Sequence, residues 1–301
     1  MERRDFLAAV PAIGLMSSFK SKEKLPISCS AYDWTTFYRR NGKEWGDNIP
    51  NDIAEYAKSG ISALEPNITS VALAIELIPQ LKKQGISMPS IYVNSLLHEK
   101  EKVEEGIKTI LAIADRVKPY GTSIIVTNPS PINWGGDELK TDSQLAVQAA
   151  ALNKLGAALR KKGIKLAYHT HDMEMKAGAR EFHHMLQNTD AENMGFCFDL
   201  HWVYQGSMDS ALAVYDTLRI YGHRIVELHL RQSKDGVWSE ALDIGSDIDY
   251  QKVAKELLKI NVTPHLVIEQ CISEETPKTM TAVEAHQRDL VWVKKVFKEF
   301  L

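Results

Sequence analysis

Eight short apolar runs, rich in β-formers, recur about every 34 residues along this 301-residue chain, and that rhythm restricts the fold more than any other feature. They lie at 27–31, 61–65, 90–94, 123–127, 165–169, 194–199, 225–229 and 265–269. Between them, residues 51–58, 70–84, 99–117, 141–162, 207–221, 250–259 and 282–300 carry apolar side chains at helical spacing. Thr141-Asp142-Ser143-Gln144 predicts a capping box, and Gly60, Gly85, Gly163 and Gly222 stand where left-handed residues end helices. Strand then helix, eight times, predicts an α/β fold, the closed (β/α)8 TIM barrel. An open, doubly wound sheet is the rival. It usually begins on a glycine-rich phosphate turn, and the sequence has neither G-x-G-x-x-G nor G-x-x-x-x-G-K-[ST]. Nicotinamide and nucleotide cofactors thereby lose their main support.

Residues 1–24 read differently from the rest. Arg3-Arg4-Asp5-Phe6-Leu7 resembles a twin-arginine export signal, followed by a short apolar stretch (8–16) and the polar exit Ser17-Ser18-Phe19-Lys20-Ser21-Lys22. The expectation is a periplasmic or exported protein, with 25–301 as a single barrel domain. The alternative is a cytoplasmic protein with an amphipathic first helix. Pro26-Ile27-Ser28 is a poor match for a lipoprotein motif before Cys29. No apolar run is long enough for a membrane span. Net charge is −3, which offers no basic footprint for nucleic acid. Cys29, Cys197 and Cys271 are odd in number and far apart, the wrong pattern for a disulfide framework or a cysteine-based zinc motif. A homo-oligomer is compatible with the sequence and not readable from it.

Polar residues gather at one end of the runs. Glu65, Asn94, Asn128, His169, Asp199, His229 and Glu269 each close or directly follow one, and in a barrel these ends converge on the face that carries active sites. A lone histidine there is more often a hydrogen-bonding or surface residue, and a lone carboxylate more often a helix cap. Four from adjacent strands, His169, Asp199, His229 and Glu269, reverse that balance. Two imidazoles and two carboxylates suit one divalent ion, Mn²⁺, Co²⁺, Fe²⁺ or Zn²⁺, better than Ca²⁺. His171 shares the side of His169 if the strand continues. Glu227 shares the side of His229, where it either orients a metal-bound imidazole or forms an interior ion pair. His98, His183, His184, His223 and His286 read as solvated helix positions, and His265 lies at the stability end. Trp34, Trp45, Trp134, Trp202 and Trp238 fall on segments after strands, where they either stack on sugar rings or anchor loops.

Tyr168-His169-Thr170-His171-Asp172-Met173-Glu174-Met175 resembles the YHNHDFEF signature of the sugar phosphate isomerase/epimerase group of xylose-isomerase-like barrels, which includes inosose-dehydratase-like proteins. Asp199-Leu200-His201-Trp202, Leu228-His229-Leu230-Arg231, the segment 243–250 and Val267-Ile268-Glu269-Gln270 resemble its later motifs in order. The resemblance implies a metal on His169, Asp199, His229 and Glu269. It also implies Glu269 as base; read from position and chemistry, His171 on the same face returns the proton, Arg231 holds an anionic or hydroxyl-rich group, and Glu65, Asn94, Asn128, Trp134 and Trp202 meet the substrate. The small-molecule carbohydrate so implied would be unphosphorylated if the chain is exported. Related barrels often carry Glu where this chain has His169, which sets it apart from a symmetric two-glutamate epimerisation. Thr170, Met173, Met175, Arg231 and Gln232 also depart from the pattern. The first expectation is an isomerase or epimerase working through an enediolate. The alternatives are a lyase or dehydratase on a keto-sugar or inosose, and a non-catalytic exported sugar-binding barrel. An abasic-site nuclease is disfavoured by charge.

Overall fold

The computed structural model describes residues 24–243 and 245–301. The export signal expected at the N-terminus falls outside them, apart from its last residue, Lys24. Eight parallel strands form one sheet: β1 (Ser28–Ser30), β2 (Ala63–Glu65), β3 (Ser90–Tyr92), β4 (Ile124–Thr127), β5 (Lys165–Tyr168), β6 (Met194–Asp199), β7 (Ile225–Leu230) and β8 (His265–Ile268). Their spatial order is β2-β1-β8-β7-β6-β5-β4-β3. The outer two meet through single bridges, where the Ile68 N–H donates to the Tyr92 carbonyl and the Tyr92 N–H to the Pro66 carbonyl, each at 2.9 Å. The fold is a TIM barrel. A bulge at Phe196/Cys197 shifts the β6–β7 register so that Asp199 stands opposite His229.

The helices are α1 (Ala31–Arg40), α2 (Ile49–Ala57), α3 (Val71–Gln84), α4 (Val103–Val117), α5 (Asp142–Lys161), α6 (Asp172–Gln187), α7 (Leu200–Gly206), α8 (Ala211–Tyr221), α9 (Tyr250–Lys259) and α10 (Ala282–Val296). The Thr141 capping box forms, its hydroxyl accepting from the Gln144 N–H and its own N–H donating to the Gln144 side chain. Three helices, α1, α6 and the short α7, escape the sequence pattern. The buried face of α1 contains Asp33 and Thr36 beside Trp34 and Phe37, which conceals its stripe. In α6, Ala177, Gly178 and Ala179 take left-handed backbone and break the period. The helix expected at 207–221 is α8, which starts later, at Ala211; the unexpected α7 precedes it, parted from it by left-handed Met208 and Asp209.

Gly60, Gly85 and Gly163 have positive φ as expected, but Gly222 does not, with φ −53°. A Cβ there would lie 2.5 Å from Ile260 Cδ1, the end of a half-exposed side chain that can turn aside. Gly156 in α5 is tighter still: its Cβ would fall 2.0 Å from the Asn193 backbone oxygen, just before β6. Gly156→Ala must therefore push helix from strand, and urea unfolding should show a loss of about 3 kcal/mol, the upper range for overpacking. A loss below about 0.5 kcal/mol, the ordinary surface value, would show that α5 slides freely.

Candidate metal centre and cavity

Each of the four expected ligands sits at the C-terminal mouth of the barrel. His169 follows β5, and its N–H donates to the Thr127 carbonyl at 2.9 Å. Asp199 ends β6 and caps α7: Oδ1 accepts the N–H groups of His201 and Trp202 at 2.9 and 3.1 Å, leaving Oδ2 without a hydrogen bond. One oxygen is thus fixed by the helix while the other faces His169 Nε2 at 3.7 Å. His229 in β7 places Nδ1 2.9 Å from Glu269 Oε2. Glu269 follows β8, its N–H donating to the Leu230 carbonyl at 3.0 Å. One donor atom from each of the four lies within 4.8 Å of the others, and all four residues are buried. Two ligands of one ion can stand about 4.2 Å apart, twice a bond of about 2.1 Å, so the residues fit a divalent ion after slight inward rotation. The unpartnered Nε2 of His169 and Oδ2 of Asp199 are what such a centre would use.

Beneath lies a second tier. His229 Nε2 is 3.1 Å from Glu65 Oε1 and 3.4 Å from Glu227 Oε1. Glu227 Oε2 reaches His265 Nδ1 at 2.7 Å, and Ser90 donates to Glu65 at 2.8 Å. Both sequence readings of Glu227 meet here, since it pairs with one histidine and orients another. Burial alone would raise the Glu227 carboxyl, but His229 and His265 hold it well below the usual range. Glu65, buried and facing Glu227, is pushed well above. Burial would lower the His229 imidazole, yet the surrounding Cys197, Glu269 and Glu65 raise it well above its ordinary value. The negative field that raises His229 also favours a cation nearby.

Above the ligands opens a cavity of about 470 Å³. His169, His171, Asn94, Trp134, Trp202, Arg231 and Glu269 line it as expected. Glu65 and Asn128 do not. Glu65 lies under the centre, and Asn128 uses its amide on the His169 carbonyl and on Glu174, both at 3.1 Å. Arg231 is only 1% exposed; its Nε donates to the Glu269 carbonyl and Nη2 reaches Glu269 Oε2, each at 3.0 Å. The guanidinium lies 4.9 Å from the Trp202 ring and 4.7 Å from Trp238, and Nη1 has no partner. Trp134, 56% exposed, meets His171 edge-on at 5.1 Å. Trp34 and Trp45 instead pack together in the core. His98 and His286, expected in solvent, are buried, His286 stacking on Trp34.

Sequence reasoning missed Tyr92, whose hydroxyl is 3.4 Å from His169 Nδ1. Its alternation with Asn94 along one strand was the available signal. It also missed Glu174, which accepts the His171 N–H at 2.6 Å. Burial, and Glu181 after it, push Glu174 up from 4.5 to about 7. The unfolded chain therefore releases this proton first, and the stabilisation, full below 4.5, is lost as pH rises to about 7. Glu174→Gln removes that loss and can hydrogen-bond the spare Asn128 oxygen. Relative to wild type, its unfolding free energy should rise between pH 4.5 and 8 by up to about 3 kcal/mol; a constant difference across that range would disprove the assignment.

The family pattern described as "Xylose isomerase-like TIM barrel" matches residues 53–296. The chain belongs to that family. The buried His169–Asp199–His229–Glu269 group is consistent with the metal site of these barrels. An inosose dehydratase of Clostridium perfringens is 26% identical over 295 residues, covering 88% of this chain and 95% of its own length. A sugar phosphate isomerase/epimerase from Parabacteroides distasonis shares the fold with TM-score 0.68 at 17% identity, over 91% of this chain and 97% of that one. D-Psicose 3-epimerase from Clostridium cellulolyticum also superposes with TM-score 0.68, at 13% identity over 91% and 99% of the two chains. Among the described residues no helix is long and apolar enough to cross a membrane.

Proposed function

We propose that this xylose isomerase-like barrel is a divalent-metal-dependent lyase of the dehydratase kind, acting on a keto-sugar or inosose. The observation that carries the reading is the inequality of the two proton-handling groups on the cavity wall. Glu269 Oε2 is held between His229 and Arg231, and although burial would raise the carboxyl, those two neighbours keep it well below the usual range. His171 is opposite in character. Its Nδ1 has no partner, and burial, with His169 next, lowers the imidazole well below its ordinary value. At neutral pH it is an uncharged base.

A divalent ion on the four ligands would polarise the substrate carbonyl and spread the charge left when the neighbouring C–H bond breaks. The His171 imidazole, on the cavity wall, takes that proton, and the imidazolium then gives it to the β-oxygen as the C–O bond breaks. A C=C bond forms and water or an alcohol leaves. One base serving one side in this manner favours elimination, whereas epimerisation, the first expectation from sequence, needs proton exchange on both faces of one carbon. Arg231 lines the cavity and sets its guanidinium charge toward a polar substrate group, and Trp134 and Trp202 offer flat faces to the ring. The Arg3-Arg4-Asp5-Phe6-Leu7 segment supports an exported enzyme and hence an unphosphorylated substrate. Inosose dehydratase is also the name of the C. perfringens relative.

The test is incubation of Mn²⁺-loaded protein with inososes and keto-sugars in D₂O, followed by mass spectrometry. A product lighter by one water or alcohol supports elimination. Deuterium gained with no mass lost identifies an epimerase or isomerase, and sugar binding without either, unaffected by chelator, identifies a binding module.

A further inference from the structure

Outside the cavity wall, a second group of ligand-type side chains joins the two ends of the barrel. Cys29 in β1, Asp33 in α1 and His286 in α10 are buried, and one donor atom of each lies within 4.8 Å of the others. Cys29 Sγ is 3.4 Å and His286 Nε2 3.5 Å from the same oxygen, Asp33 Oδ2. A tetrahedral zinc ion, bonded at about 2.3 Å to sulfur and about 2.0 Å to nitrogen and oxygen, holds such donors roughly 3.3–3.5 Å apart.

Two buried atoms here lack partners. His286 Nδ1 donates to the Ala282 carbonyl at 2.6 Å, which leaves Nε2 facing Asp33 with no hydrogen bond. Asp289, on the next position of the same helix face, accepts the Leu242 N–H through Oδ1 at 2.6 Å, and its Oδ2 has none. The Trp34 ring, stacked on His286 at 4.8 Å, fixes the imidazole plane. A nitrogen lone pair aimed at a carboxylate is repulsive unless a proton or a metal cation stands between them. Zinc with one thiolate, one carboxylate and one neutral imidazole carries no net charge, which suits complete burial.

We propose that Cys29, Asp33 and His286 form a structural zinc site, distinct from the centre at the barrel mouth, that ties the last helix to the first strand. Binding releases the Cys29 thiol proton to solvent, while Asp33 and His286 bind as carboxylate and neutral imidazole. Cys271, whose Sγ lies 3.1 Å from Asp33 Oδ1, is the next thiol on the same carboxylate.

The full chain, stripped and reloaded with Co²⁺, tests this by metal analysis and absorption. The four mouth ligands include no sulfur, and Cys197, grouped with Glu227 and His229, is the other thiol a cobalt ion could meet there, so the variants assign a thiolate-to-cobalt charge-transfer band. Wild type should show the band. Cys29→Ser, which keeps a hydrogen-bonding group beside Asp33, should abolish it and lose one metal equivalent. His286→Gln should likewise lose that equivalent. His169→Gln and Cys197→Ser should retain the band, so failure of the mouth centre is distinguished from failure here. No band in folded, cobalt-treated wild type, or a band that survives Cys29→Ser, overturns the proposal in favour of a protonated His286 paired with Asp33.

Discussion

Glu269→Gln is expected to lower turnover and substrate deuterium exchange by about a thousandfold, within the range for loss of a charged group that acts on the reacting centre. The carboxylate has three neighbours to satisfy: His229 Nδ1 at 2.9 Å, Arg231 Nη2 at 3.0 Å and the metal centre. An amide retains the shape and loses the charge. Arg231 is then a buried cation between two indoles with only Asp199 Oδ2, at 3.8 Å, still paired to it, which should cost about 3 kcal/mol of stability, the low end for breaking a buried pair. The sign of the pH dependence follows from the depressed carboxyl. Its stabilisation is present above the ordinary value of 4.5 and disappears as pH falls through the folded value. In chelator, the gap between wild type and Glu269→Gln should therefore be widest near neutrality and narrow in acid. Urea unfolding at several pH values, alongside steady-state rates, measures both. Full activity in the variant would remove Glu269 from the centre.

What could be read from the sequence follows from which constraints are local. Strand ends were legible because a barrel interior demands apolar runs and its mouth releases that demand, so Asp199, His229 and Glu269 stood out against their neighbours. Element type was least legible where the buried face is polar: Asp33 and Thr36 hide the stripe of α1. Left-handed residues inside α6 hid that helix by breaking its period. Depth was legible along one strand, where Glu227 precedes His229 by two residues, and not between strands. Glu65 and Asn94 both lie near strand ends, but Glu65 lies under His229 and Asn94 lines the cavity. Cys29 and His286 are separated by nearly the whole chain, so spacing arguments about cysteine motifs could not anticipate their approach. Barrel closure, which pairs β1 with β8, creates it.

His171→Asn is the sharper test of the chemistry, because it separates the base from the centre that holds the metal. Asparagine is a good residue at a helix N-terminus, and the N–H that donates to Glu174 belongs to the backbone, so the start of α6 should survive. What disappears is the imidazole that His171 contributes to the cavity wall. Metal content should stay at the wild-type level, since His169, Asp199, His229 and Glu269 are untouched. Exchange and elimination should both fall by about a hundred- to ten-thousandfold, the usual contribution of a positioned base. The KM should change little, because the remaining wall, Arg231 with Trp134 and Trp202, still contacts the substrate. In wild type the acid limb of kcat/KM should fall below the ordinary histidine value of 6.5, in line with the lowered imidazole; in the variant that limb should vanish. If elimination persists while exchange is lost, the proton leaves by another group. If Glu269→Gln alone abolishes exchange and His171→Asn does not, the carboxylate is the base and the two-sided chemistry of an epimerase regains its footing.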